Sequence, residues 1–330
     1  GQRQLLLGAA LLMFTTGVGF ASFSAFLPLL LVAFVGTLNP SSGDVSVFLP
    51  LEHARLAGAA RGETRVALFA RYSLVASLSA ATGALAAAIP AWLSAHAGTD
   101  PLAAIRWLFA LYAFVGLLTF ALYRRLPEAP AEQVAAKTPL GPSRRVVLKL
   151  AALFSVDAFA GGLVLNSLMS LWLMQRFDLS LAAAGTFFFW TGLLSAASQL
   201  AAPIVARRVG LLNTMVFTHI PANLCLVLAA LAPSLPLALT LLFIRSALSQ
   251  MDVPTRTAFV MSVVTPPERA AAASMTAVPR SLAASLSPSL GGALFAAGWL
   301  ASPLVLAGLL KIAYDVTLWI ACKGHRLDDR

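Results

Sequence analysis

Residues 101–124 read PLAAIRWLFALYAFVGLLTFALYR, and this stretch decides what kind of protein the chain is. Arg106 is its only charge before the terminal Arg124. The run is long enough for a helix to cross the hydrocarbon core of a bilayer, which takes about 20 residues. Lipid offers the backbone no hydrogen-bond partners, so such a run satisfies itself as a helix. Comparable runs recur down the whole chain. Of 330 residues, 59% are hydrophobic and 11% charged, against roughly 25% charged in an average soluble domain. Alternation with a period of two is nowhere sustained, which excludes an outer-membrane barrel. The expected class is an all-α membrane protein.

Working outward, the chain divides into ten apolar spans: A 4–24, B 26–50, C 66–94, D 101–124, E 147–175, F 180–206, G 211–232, H 235–263, I 269–297 and J 300–321. Most connectors are short, so successive helices are expected as antiparallel neighbours. The exception runs from Tyr123 to Lys149 with Pro127, Pro130, Pro139, Pro142 and eight charges, the signature of a hydrophilic linker. The expected organisation is a four-helix bundle over 1–124, a linker over 125–146 and a six-helix bundle over 147–330.

The net charge of +10 has a topological explanation and does not call for nucleic acid. Arg3, Arg55, Arg61, Arg65, Arg124, Arg125, Lys137, Arg144, Arg145, Lys149, Arg207, Arg208, Arg269, Lys323, Arg326 and Arg330 all fall on one side of the alternating spans; Arg106 and Arg176 fall on the other. Cations mark the cytoplasmic side, which places the linker and the C-terminus there. Cys225 and Cys322 lie far apart inside apolar helices and read as small hydrophobes, not as a disulfide or metal site.

An internal repeat carries more information. Asp44-Val45 recurs as Asp252-Val253, an offset of 208, and at that offset Ser73–Ser79 (SLVASLS) matches Ser281–Ser287 (SLAASLS) in six of seven positions. Gly83 matches Gly291, and Arg71 matches Arg280 with one residue gapped. Two parallel halves joined by a polar linker are a transporter architecture. Subtracting the offset from the start of span E puts the origin of the first half about sixty residues before Gly1. Two helices are therefore expected upstream, for twelve in all.

Twelve helices in two halves with a charged central loop resemble the major facilitator superfamily. Gly1-Gln2-Arg3 is similar to the end of the family's Gly/Asp/Arg cytoplasmic loop, with a weaker echo in Arg207-Arg208-Val209-Gly210. Arg245 in Ile244-Arg245-Ser246 resembles the family's intramembrane arginine motif. Ser287-Pro288-Ser289-Leu290-Gly291-Gly292 resembles the Gly-Pro-x-x-Gly-Gly signature of its drug/proton antiporters, although that signature belongs to the fifth helix and span C lacks its proline. The resemblance implies that spans B, E and H line a central cavity, so Asp44, Asp157, Asp252 and Arg245 sit on lining helices.

Charges at bilayer depth are costly and mark functional candidates. Asp157 has no cation three or four residues away and is the candidate for proton exchange; its other reading is a carboxylate held by hydroxyls or by absent helices. Asp44 with Arg71, and Asp252 with Arg280, stand at similar depth on sequential helices and are expected to pair within each half. Lys311 with Asp315, and Asp252 with Arg256, are four apart and fit intrahelical pairs. Asn39, flanked by Pro40 and Gly43, interrupts span B. Asn39, Asn166 and Trp190 are candidates for substrate contact, the last two beside Phe187, Phe188, Phe189 and Trp172. His219, with Pro221 and Asn223, reads as a packed polar kink.

The sequence carries no phosphate loop, no nucleophile–base–acid set and no metal-spaced cluster, so neither an enzyme nor a cofactor is expected. The leading expectation is a secondary transporter acting as a monomer in a bacterial inner membrane, exporting amphipathic compounds in exchange for protons. An uptake permease for a small polar nutrient and a non-transporting truncated fragment are the alternatives.

Overall fold

The computed structural model describes residues 2–38, 48, 52, 62–127, 141–265 and 268–323. Among the described residues all regular structure is helical. The helices are α1 (Gln2–Ser22), α2 (Phe26–Val35), α3 (Gly62–Ala86), α4 (Ile89–Ala97), α5 (Pro101–Arg124), α6 (Arg144–Gly162), α7 (Asn166–Phe177), α8 (Leu181–Val209), α9 (Leu211–Ala230), α10 (Leu235–Leu248), α11 (Asp252–Val263), α12 (Arg269–Ala296) and α13 (Ser302–Cys322). Seven helical stretches are long and apolar enough to cross a membrane. About ten spans result once broken helices are counted whole, as expected.

The breaks are the main departure from the sequence reading. Span E divides into α6 and α7 at Leu163–Leu165, where Leu165 turns extended (φ −55°, ψ 155°) after two weak helix formers, Gly161 and Gly162. Span H divides into α10 and α11 at Ser249–Met251. There Pro254 has no N–H to bond back to Gln250, and its ring crowds that carbonyl. A proline is tolerated in the first turn of α11, where N–H groups lack helical partners anyway. By contrast, α8 and α9 join through Gly210 alone, at φ 87°, a left-handed conformation that glycine adopts without a Cβ penalty.

The chain forms two compact units, Gly1–Val134 and Ala135–Arg330. In the first, α1 packs along α5 with backbones in near contact. A Cβ on Gly17 would lie 2.6 Å from the amide of Ala113, and one on Gly116 2.8 Å from that of Phe14. Small residues admit this approach, the usual route to helix association in lipid.

In the second unit α6 packs on α12 and α13, while α9 packs on α10, α11 and α13. Two apolar clusters form its interior. One gathers Leu163, Trp172, Phe187, Leu226, Leu242 and Leu304; the other gathers Leu150, Phe154, Met215, Phe259, Leu318 and Cys322. Along α6, α9 and α13 the side chains of Asp157, His219, Asn223 and Lys311 fall between these clusters, with Asp315 one turn beyond Lys311. Large apolar side chains such as Phe34, Trp107 and Leu286 point outward. Charges enclosed and apolar surface displayed is the arrangement that lipid selects.

Candidate functional site

The polar layer of the second unit is a charge cluster drawn from four helices. Asp157 of α6 is 3% exposed, and each of its oxygens meets a different cation. Lys311 Nζ on α13 donates to Oδ1 at 2.5 Å, and Arg256 Nη2 on α11 lies 3.1 Å from Oδ2. The same Arg256 nitrogen donates to Asp252, one turn back at the start of α11. The Arg256 guanidinium also covers the Phe154 ring at 5.4 Å, a cation–π contact that replaces part of its lost hydration.

Beside this quartet lies a second pair. Asp315 of α13, 1% exposed, receives His219 Nδ1 of α9 at 2.9 and 3.0 Å. Asn223, one turn further along α9, directs its amide to Asp315 Oδ2 at 3.5 Å. Gly308 makes the seam possible: a Cβ there would meet the carbonyl of Asn223 at 3.0 Å.

Local sequence places these groups. Asp157 stands just before the Gly161-Gly162 break, and Asp252 opens α11 just after the second break, where a carboxylate suits the positive end of a helix dipole. A Cβ on Gly162 would fall 2.0 Å from Ser287 Oγ, so α6 and α12 touch at this level. Both broken helices of the second unit thus carry a buried aspartate next to the break. Discontinuous helices of this kind border the binding sites of many transporters.

Several expectations are corrected here. Asp157 is doubly paired, not free; its partners come from α11 and α13, which a search along its own helix does not reach. Lys311 and Asp315 share a face of α13 but diverge, Lys311 to Asp157 and Asp315 to His219. The expected pair of Asp252 with Arg280 gives way to Asp252 with Arg256, the i,i+4 alternative. His219 is an ion-pairing partner and more than a packed kink.

The remaining candidates are not gathered at the cluster. Arg245 is half-buried on α10 and forms no ion pair among the described residues. Arg280 is half-buried on α12, and Arg71 is exposed on α3. Asn166 opens α7 and is exposed; Trp190 is 53% exposed and packs on Phe189 with ring centroids 5.2 Å apart. Asp44 and Asn39, and with them the pair of Asp44 with Arg71, lie outside the described residues.

Two carboxylates escaped the sequence reading. In the first unit Glu52 accepts hydrogen bonds from the phenols of Tyr72 on α3 and Tyr123 on α5. In the second, Glu268 precedes α12 and grips the residues that lead into α6. It accepts from the Gly141 amide, the Ser143 amide at 3.3 Å and Thr265 Oγ1 at 2.6 Å. The hydrogen bonds from Ser143, Thr265 and Gly141 hold its carboxyl down at about 2.

A model of the Major Facilitator Superfamily matches residues 1–249. The chain belongs to that superfamily. At 25% identity over 355 residues it is similar to an uncharacterized membrane protein of Saccharomyces cerevisiae, with 96% of this chain and 79% of the yeast protein covered. Among solved structures, a D-xylose–proton symporter is similar with a TM-score of 0.71 at 15% identity, over 97% of this chain and 80% of the symporter. A bacterial homologue of the iron transporter ferroportin, in an inward-facing state, gives 0.69 at 14% identity over 96% and 82%. A nucleoside transporter gives 0.67 at 16% identity over 97% and 82%. At these identities the structural likeness carries the fold alone. Superfamily membership makes the chain a multi-pass integral membrane protein of the secondary-transport class.

Proposed function

We propose that this superfamily member is a proton-linked exporter of small amphipathic molecules. The observation that carries the reading is the buried cluster, in which three carboxylates face two permanent cations. An uncompensated charge in a low-dielectric interior is costly, so such a cluster answers to a mobile cation. The antiporter-like stretch Ser287–Gly292 supports exchange. It sits within α12 with Pro288 inside the helix, and a Cβ on Gly291 would meet the Leu163 carbonyl at 3.2 Å, at the α6–α7 break. On the same reading 1–124 and 147–330 are the two bundles and 125–146 is their cytoplasmic linker. The C-terminus is cytoplasmic in a bacterial inner membrane, because Lys and Arg crowd one set of connectors, and the protein works as a monomer.

Reconstituted protein should accumulate a lipophilic cationic dye in vesicles with an acidic lumen, protons leaving as dye enters. Asp157→Asn should abolish this gradient-driven accumulation while dye exchange without a gradient persists. Dye that enters together with protons would overturn export by exchange and favour the uptake permease.

A further inference from the structure

We propose that the exchanged proton is held by the His219–Asp315 pair, and that Lys311 reports its presence to Asp157. The inference rests on the proton-linked reading above and names the site of the proton within it.

Local charge parity sets the pair apart. Lys311 and Arg256 face Asp157 and Asp252 in direct contact, so this quartet sums to zero without any proton. Asp315 is the carboxylate left over, and the group on it is a histidine, whose charge depends on one proton. With that proton on the pair, both the quartet and the pair are neutral. A proton on Asp157 instead would leave the quartet at +1 and the pair at −1, two unbalanced buried charges where none is required.

The chemistry balances simply. Neutral His219 already donates its Nδ1 proton to Asp315; protonation adds one hydrogen ion at the pair, giving imidazolium against carboxylate, and release returns it. No bond between heavy atoms changes.

Each neighbouring helix brings its own charged and polar groups. α6 contributes Asp157, with Arg144, Arg145 and Lys149 in its first turns; α11 contributes Asp252 and Arg256. α13 contributes Lys311 and Tyr314, whose ring meets His219 edge-on with centroids 6.4 Å apart. α9 adds Asn223 and Cys225; α10 brings Arg245, α12 brings Arg269 and Arg280, and α8 has Arg207 and Arg208 in its last turn.

Lys311 supplies the link. It stands four residues before Asp315 on α13, the spacing at which a lysine and an aspartate meet, yet it reaches across to Asp157. When the pair loses its proton, the Asp315 carboxylate loses its counter-charge and competes for Lys311. A shift of Lys311 toward Asp315 withdraws one of the two cations from Asp157, which stands beside the α6 break. Proton release at α9 and α13 is thereby transmitted to the broken helix.

The test needs no identified substrate. Purified protein in detergent is titrated by infrared difference spectroscopy, which reads imidazole and carboxyl bands, and each variant is first checked for a monodisperse fold. Beyond the bands of the chain's three other histidines and remaining carboxylates, wild type should show one titration that belongs to the pair. His219→Asn keeps a donor to Asp315 without a titrating ring, and Asp315→Asn removes the leftover charge; each should abolish it. The double variant Asp157→Asn/Lys311→Met, which leaves Arg256 matched to Asp252, should retain it. A titration that survives Asp315→Asn and His219→Asn but disappears in the double variant would overturn the proposal and return the proton to Asp157. Dye accumulation in vesicles separates the two readings. If Asp315→Asn still accumulates dye under a pH gradient, the proton site is wrong and proton-linked export stands. If wild type titrates at the pair yet moves no dye, the site stands and the export reading falls.

Discussion

Asp157, buried, and Glu52, half-buried, are each gripped by two donors from other segments, but the donors differ in kind. Asp157 meets two cations, Lys311 and Arg256; Glu52 meets two phenols, Tyr72 and Tyr123. A carboxylate among hydroxyls carries its own charge and shares it through dipoles. Losing it leaves hydroxyls that rotate or find other acceptors. A carboxylate among cations is half of a mutual arrangement, and losing it strands charges in an apolar interior. Removing one partner of a buried ion pair costs about 3–5 kcal/mol, while replacing both by apolar groups is often close to neutral. The same residue type is thus a structural clasp in the first unit and a charge-sensitive element in the second.

The comparison breaks most readily at Asp157. Asp157→Asn should lower stability by about 3–5 kcal/mol, seen as a clear fall in thermal unfolding temperature in detergent. The double variant Asp157→Asn/Lys311→Met should recover much of that loss. A double variant as unstable as the single would show that the pairing is not mutual.

Gly162 sharpens the contrast by moving the cluster's scaffold instead of its charge. Gly162→Ala drives a methyl onto Ser287 Oγ and should cost about 1–3 kcal/mol through overpacking. Adding Ser287→Gly should relieve only the part due to the hydroxyl, because the Ala284 carbonyl would still lie 2.8 Å from the new methyl. Unchanged stability in Gly162→Ala would mean that α6 and α12 part without penalty.

Tyr72→Phe and Tyr123→Phe should each cost about 1 kcal/mol, the net worth of an ordinary hydrogen bond. A loss as large as that from Asp157→Asn would erase the distinction between the two sites.

The smallest effect belongs to Glu268, and it is read as a pH dependence. Its folded-state carboxyl is held at about 2, below the usual value near 4.3. The stabilisation is present above the unfolded value and is lost as pH falls through about 2. Acid unfolding scans should therefore steepen between about pH 4.5 and 2 in wild type, and Glu268→Gln should remove that component alone. An unchanged acid profile would show that the grip on residues 141–143 contributes nothing there.

Much of this was legible in the sequence because lipid imposes simple rules. Length and apolarity marked the ten spans. Four-residue spacing found the pair of Asp252 with Arg256, and the absence of strand periodicity fixed the all-helical class. The break in span H had a visible signal in Pro254, and the break in span E a fainter one in Gly161-Gly162. The partners of Asp157 had none. Lys311 lies 154 positions away on α13 and His219 lies 96 positions from Asp315; those meetings depend on which helices pack together, which periodicity within one helix does not encode. Spacing put Lys311 and Asp315 on one face but could not say that each had a better partner on another helix.

Cys322 turns the second unit into its own stopwatch. Its thiol is buried at the end of α13 among Val147, Leu150 and Leu318, whereas Cys225 on α9 is half accessible. A membrane-permeant maleimide added to native protein should modify Cys225 first and Cys322 only as often as the seam between α6 and α13 parts. The lag between the two adducts, read by mass spectrometry, converts the opening of that seam into a rate without any engineered label.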